Sequence, residues 1–394
     1  MTKVPGLATA QIQGVEVGDE IVRLAWLDGH QSEFHFLWLR DNCTCVHCGN
    51  RAVGQKLTLL CELAEDCSAK NVLVEVDGSL GVEWLPDGHR STYAATWLRE
   101  HCYSETARRE RRHNPVLWDA ALQEALPETS YDTCFGDDAG LHYLLGLIRD
   151  RGFAIVHGVP GSREAFERMV RRVGYPRETN YGRMSDLVAT QTPKTLSNTK
   201  HRIPLHTDEG YRHANPGMLA FQCLSNSADG GGATLLADGF KLAQHVREHQ
   251  PQAFDVLSRV SIVARRFHAG EMDLRSASPV ISVDYEGRVQ GVRFNERSAA
   301  PLDVPTELVR PVYKALGVWQ TLANDPAFQV QVLLKPGDFL IFDNQRVLHG
   351  RRSFAGHRHL LYAQLDLDEA HSRALVLAAR LGETLNGALM HRGT

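Results

Sequence analysis

Three of the chain's eight cysteines fall within six positions, in the run Cys43-Thr-Cys45-Val-His-Cys48. No other feature restricts the local fold so much, because three thiols this close can oxidise, share a metal or stay reduced and unliganded. Disulfide frameworks belong to short, Cys-dense secreted domains. This chain has 394 residues, and its opening, MTKVPGLATAQIQGVEVGDE, lacks both an apolar signal core and the Arg/Ser bias of a transit peptide. Metal binding is therefore the expected role of the thiols, and the cytoplasm the expected location. Three thiolates leave a tetrahedron one ligand short. A fourth protein ligand closes it, which makes such an ion a structural zinc.

At about 150 residues per domain, the length suggests two domains. The first reads as a small β-rich zinc-binding domain over residues 1–115, with alternating apolar and polar residues around Asp28-Gly29, Asp77-Gly78 and Asp87-Gly88. It contains an internal likeness. Trp26-Leu-Asp-Gly-His30, followed by Trp38-Leu-Arg-Asp-Asn-Cys43, matches Trp84-Leu-Pro-Asp-Gly-His89, followed by Trp97-Leu-Arg-Glu-His-Cys102. Two copies are too few for a solenoid and suggest two related hairpin units. The charged stretch 104–114 reads as a solvated helix. Residues 116–130, near Pro115 and Pro127, read as a linker.

The second domain is expected over 131–394. It opens on a helical pattern, AGLHYLLGLIRDRG, then a buried strand, FAIVHGVP, then a helix capped by Ser162 and stopped at Gly174. Many strand-like segments follow, interrupted by helical patterns near 240–258 and 306–323. Helices followed by strands predict a sandwich or barrel with helices outside, a mainly β fold. The 43 Lys+Arg against 47 Asp+Glu give a net charge of −4, which argues against nucleic-acid binding. No run of about 20 apolar residues suggests a membrane span.

The sharpest chemical signal is Ile-Pro-Leu-His206-Thr-Asp208. Alternate residues of a strand project to one face, so one imidazole and one carboxylate can reach a single metal. His349, in Phe-Asp-Asn-Gln-Arg-Val-Leu-His349-Gly, is the candidate third ligand. Two His and one carboxylate on one face of an octahedral ion leave three positions open, as in non-heme Fe(II) oxygenases. Arg358 follows on the next strand, and the loop Gly230-Gly-Gly-Ala-Thr234 lies between the two His motifs. A guanidinium binds a carboxylate through two parallel hydrogen bonds, and a Thr hydroxyl can share that carboxylate.

With these motifs in this order, residues 130–385 resemble the taurine/2,4-dichlorophenoxyacetate-type dioxygenases. The whole chain resembles their γ-butyrobetaine and trimethyllysine hydroxylase branch, whose extra N-terminal domain carries the motif found here as Trp38-Leu-Arg-Asp-Asn-Cys43-Thr-Cys45-Val-His-Cys48. The resemblance implies a double-stranded β-helix (jelly-roll) catalytic domain using Fe(II), 2-oxoglutarate and O2. It implies His206, Asp208 and His349 as iron ligands, Arg358 as the 2-oxoglutarate arginine and Thr234 as its helper. For zinc it points to His89 beside Cys43, Cys45 and Cys48, with His47, His101 and Cys102 as rivals. It also implies a homodimer.

The branch hydroxylates small metabolites, and the intact Asp208 favours hydroxylation here. γ-Butyrobetaine is the leading named substrate. A trimethylammonium group calls for an aromatic cage. Tyr181 matches one cage position of the resemblance, whereas Ser185, Asn198 and Gln364 stand where the others would be aromatic. Asn295 and Arg297 fall where the branch contacts the polar end of its substrate. Tyr181, Asn198 and Asn295 are the expected substrate residues. The alternatives are desaturation, hydroxylation of a non-quaternary amino acid or phosphonate, and a non-catalytic zinc-bearing interaction protein.

Overall fold

A computed structural model describes residues 10–50, 54–191, 196–228 and 230–383. The outer ends of the two expected domains, residues 1–9 and 384–394, lie outside the described residues. The chain divides into two compact units, Met1–Arg112 and His113–Thr394.

The first unit is built from two three-stranded antiparallel sheets. One holds Ile12–Val17, Ile21–Trp26 and Gln31–His35; the other holds Ser68–Val74, Leu80–Leu85 and Arg90–Tyr93. The Asp-Gly hairpins form because glycine accepts the left-handed turn conformation, with φ of +83° at Gly29 and +67° at Gly88. Alternation then sends Val22, Leu24 and Trp26 from one sheet, and Leu80, Val82 and Trp84 from the other, into a shared core. A short helix follows each sheet, Phe36–Asp41 and Ala95–Glu100, burying Leu39 and Leu98. The charged stretch is a helix, Glu105–Arg111, capped by Ser104.

In the second unit a six-stranded sheet runs in the order Met184–Val188, His359–Leu365, Met218–Ser225, Phe339–Asp343, Phe153–His157, Glu128–Ser130. A four-stranded sheet runs Ile203–His206, Val347–Arg351, Thr234–Asp238, Gln329–Val332. Phe153, Ile155, Leu340 and Phe342 from the first join Leu236, Val330 and Val347 from the second in one core. The other face of the large sheet, through Ala154, Val156 and Ile341, packs on helices Asp138–Arg151, Arg163–Val173 and Leu367–Arg380. Burial on both faces explains why these strands read as continuous apolar runs. Helices Gly239–His249, Pro251–Arg259 and Thr306–Asn324 cover the small sheet. This is a jelly roll with flanking helices.

Several segments differ from the sequence reading. The helical pattern near 240–258 is two helices, because Pro251 has no N–H to continue the first and starts the second. Residues 116–130 do more than connect. Trp118 is buried and donates from Nε1 to Arg151 O at 2.6 Å, Arg346 of the buried Arg346–Asp238 pair donates to Val116 O at 2.8 Å, and Glu128–Ser130 pairs with Phe153–His157. Leu367–Arg380 is a further helix beyond the expected ones, and it buries Ala370, Ala374, Leu377 and Ala378.

Candidate active site and metal centres

His206 and His349 stand opposite each other on paired antiparallel strands, their ring centroids 4.3 Å apart. The strand ends at His206, so Asp208 is not on it as the alternation had suggested. Asn344 holds Asp208 in place instead. Its Oδ1 accepts from Asp208 N at 2.7 Å, and its Nδ2 donates to Asp208 O at 3.1 Å. Glu209 then takes φ +53°, turning the chain away. Asp208 Oδ1 lies 3.2 Å from His206 Nε2 and 3.8 Å from His349 Nε2. An octahedral ion with bonds of about 2.1 Å sets neighbouring ligands ~3 Å apart, so the three atoms fit one face of such an ion.

Surrounding groups prepare these atoms. His206 Nδ1 donates to Pro204 O at 2.9 Å, which leaves the Nε2 lone pair facing Asp208. Asp208 Oδ2 accepts from Tyr362 at 2.9 Å. Burial opposes the Asp208 charge, but the neighbouring His349 and His206 rings and the hydrogen bond from Tyr362 hold its carboxyl well below the usual range. Burial, with His206 beside it, pushes His349 down to about 3. An ionised carboxylate and a neutral imidazole are the forms that bind a metal.

The triad opens into a cavity of about 480 Å³, which Arg358 and Thr234 also line. Arg358 is 5% exposed. Burial lowers its pKa to about 10, so it remains cationic at neutral pH. Its guanidinium sits 6.0 Å from the Phe354 ring and makes no ion pair with any described residue. A buried charge without a partner is costly, and this one suits a carboxylate supplied by a ligand. Gly232, at φ +78°, lets the arginine pass, since a Cβ there would lie 2.9 Å from Arg358 Cδ. Arg351 also lines the cavity and donates to the carbonyls of Ser197, Thr199 and His201. No motif in the sequence marks Arg351, although it lies two residues after His349 on the same strand face.

Tyr181, Asn198 and Asn295 all line this cavity. The Tyr181 hydroxyl is 3.3 Å from that of Tyr211. Asn198 donates to Val188 O at 3.2 Å, and Asn295 to Thr207 O at 3.4 Å, leaving a buried Oδ1 unpaired. Arg266, Arg297 and Glu209 are lining residues too. Gln364 is not; it donates to Glu209 Oε1 at 2.8 Å and to the Tyr362 hydroxyl at 2.7 Å. Glu209 and this network carried no sequence signal.

In the first unit, Cys43, Cys45, Cys48 and His89 offer ligand atoms within 4.8 Å of one another. His89 Nε2 is 3.3, 3.7 and 3.5 Å from the three sulfurs in turn. Tetrahedral zinc with ordinary bond lengths puts N and S ~3.5 Å apart. Burial pushes the Cys43 thiol up to about 11, so a thiolate there calls for a cation. The rivals stand elsewhere. His47 is exposed, His101 stacks on Trp97, and Cys102 lies 3.3 Å from His30 Nε2.

A jelly roll that presents two imidazoles and a carboxylate beside a buried, unpaired arginine defines the class of Fe(II)- and 2-oxoglutarate-dependent oxygenases. The chain belongs to the taurine catabolism dioxygenase TauD, TfdA family, whose profile matches residues 123–364. A γ-butyrobetaine hydroxylase-like N-terminal profile matches residues 14–84. The chain is 34% identical over 362 residues to a γ-butyrobetaine dioxygenase of Pseudomonas sp. (strain AK-1), covering 90% of this chain and 93% of that one. It is 33% identical over 351 residues to the mitochondrial trimethyllysine dioxygenase of Rattus norvegicus, covering 87% and 82%. Among solved structures, an asparagine oxygenase with Fe(II), 3-hydroxyasparagine and succinate matches with a TM-score of 0.47 at 16% identity, over 68% of this chain and 87% of that one.

The protein is thus an oxygenase that uses Fe(II), 2-oxoglutarate and O2, and its Cys3His cluster fits a structural zinc. Held by His206, Asp208 and His349, an iron ion would supply the redox chemistry that couples 2-oxoglutarate decarboxylation to oxidation of a substrate C–H bond.

Proposed function

We propose that this oxygenase hydroxylates a small zwitterionic metabolite of the carnitine type, with γ-butyrobetaine as the leading candidate. In this reading His206, Asp208 and His349 hold the iron, while Arg358 and Thr234 anchor the distal carboxylate of 2-oxoglutarate. Tyr181, Asn198 and Asn295 orient the substrate. Cys43, Cys45, Cys48 and His89 hold the zinc that staples the first unit. The expected homodimer and cytoplasmic location belong to the same reading, and light scattering on the purified protein tests the first of these.

The observation that carries the proposal is the mixed lining of one cavity. Beside the triad it offers the rings of Tyr181, Tyr211, Tyr362 and Phe221 to a cation, and Arg266, Arg297 and Asn295 to an anion. Arg297 keeps an exposed side, and desolvation within the cavity wall is the main cause that lowers its pKa, with Asp208 opposing the shift and Arg266 adding to it. A second reading has its own support. Ser185 and Asn198 line the cavity without an aromatic ring, and Gln364 turns its amide to the buried Glu209. Glu209 is already paired with Arg212, so the Ser185 hydroxyl and the Asn198 amide oxygen are the groups that suit an ammonium that still has N–H bonds, hence a primary amine rather than a quaternary one.

Succinate formation by the Fe(II)-loaded protein separates the two. The panel contains γ-butyrobetaine, trimethyllysine, a trimethylammonio-phosphonate and matched primary amines. Stimulation by a quaternary compound supports the first reading, and stimulation by primary amines alone the second. If no zwitterion in the panel raises turnover above the substrate-free rate, both fail.

A further inference from the structure

The two halves of the first unit match contact by contact. Trp26 Nε1 donates to Ser32 Oγ at 2.8 Å, and Trp84 Nε1 to Ser91 Oγ at 2.9 Å. Asp28 and Asp87 each accept from the backbone N–H two residues on, at 3.0 Å in both. Other contacts are exchanged between halves. Arg40 of the first half meets Asp87 of the second at 2.9 Å, and Arg99 of the second meets Asp28 of the first at 3.2 Å. Trp38 and Trp97, which are equivalent positions, pack on each other with centroids 5.5 Å apart. Reciprocal contacts of this kind are what a two-fold relation produces.

The exchange extends to the metal cluster. His89 of the second half stands 3.3 Å from Cys43 of the first. His30 of the first half stands 3.3 Å from Cys102 of the second. The first half continues as Cys43-x-Cys45-x-x-Cys48, and the second as Cys102-x-Ser104-x-x-Ala107. Ser104 Oγ lies 3.3 Å from Cys102 Sγ and caps the helix Glu105–Arg111 through Ala107 N. Ala107 is buried in the core. Arg40 donates to Cys48 Sγ at 3.3 Å, whereas Arg99, at the matching position, has a buried Nε with no partner.

We infer that the first unit is an internal duplication with two equivalent metal frames. The frame at His30 and Cys102 is a thiolate–imidazole zinc site in which Ser104 and Ala107 have replaced two of four ligands. A hydrogen-bonded Ser32–Cys102–His30 cluster and a capped helix now do the bracing that an ion does in the other frame. The inference rests on the zinc reading of the Cys43 cluster.

Restoring the ligands tests it. Zinc per chain is measured by plasma mass spectrometry on wild type, on Ser104→Cys/Ala107→Cys, and on that double variant with His30→Ala. The expected values are one, two and one. A wild type without zinc overturns the zinc reading itself. A wild type with one zinc and a double variant that also holds one, with unchanged far-ultraviolet circular dichroism, overturns the duplicated frame alone. If the double variant does not fold, Ser104→Cys is loaded with Co(II). Added thiolate-to-cobalt absorbance that disappears with His30→Ala supports the frame, and a spectrum identical to wild type overturns it.

Discussion

Arg358 brings a positive charge into a buried position where no described carboxylate meets it, and it lines the same cavity as the triad. A ligand carboxylate there gains charge-assisted hydrogen bonds worth about 1.5–3 kcal/mol, so Arg358→Ala is expected to raise the KM for 2-oxoglutarate about 10- to 100-fold. Arg358→Lys should restore little of this, because an ammonium cannot reproduce the two parallel bonds of a guanidinium. Initial rates against 2-oxoglutarate concentration check both; an unchanged KM would move the anchor to Arg351. Asp208→Ala should abolish 2-oxoglutarate turnover with the melting curve intact, and retained turnover would remove Asp208 from the triad. Tyr362 donates to the outer oxygen of Asp208 at 2.9 Å. Tyr362→Phe should therefore weaken metal binding about 10- to 100-fold without abolishing it. Titration with Co(II), followed by its visible absorbance, reads this directly.

At the scale of elements, the Gly230–Thr234 loop decides where Arg358 can lie. Gly232→Ala puts a Cβ at φ +78° and 2.9 Å from the arginine stem. The conformation alone costs about 1–2 kcal/mol, and the displaced stem should raise the KM for 2-oxoglutarate as well. A lower Tm with an unchanged KM would show that Arg358 yields without consequence. The sequence revealed this loop and the strands around it because both faces of the large sheet are buried and the runs are apolar. It did not reveal the strand Met272–Ser278, whose Asp273 pairs with Arg275 on its own strand and with Arg265 across an exposed hairpin. Nor did it reveal that Val347–Arg351 is a strand, since its polar residues face a ligand cavity rather than solvent. The triad could be read because each ligand sits in a recognisable short motif. The Glu209–Gln364–Tyr362 network could not, because its members are brought together only by folding, and no spacing announces a contact 155 positions apart.

At the scale of the whole molecule, the division into two compact units sets up a thermodynamic test. Each unit has its own core and its own metal set, so each should answer to a different ligand. Calorimetry is expected to show two transitions. Removing zinc with a chelator should lower one of them, because the buried Cys43 thiol and its neighbours then lose the ion that holds them. Cys45→Ser should do the same and reduce bound zinc; undiminished zinc would show that the cluster is not the site. Mn(II) with 2-oxoglutarate should raise only the other transition, by about 2.7 kcal/mol when free ligand is a hundredfold above its Kd. A single transition that responds to both treatments would mean that the two units unfold as one cooperative body.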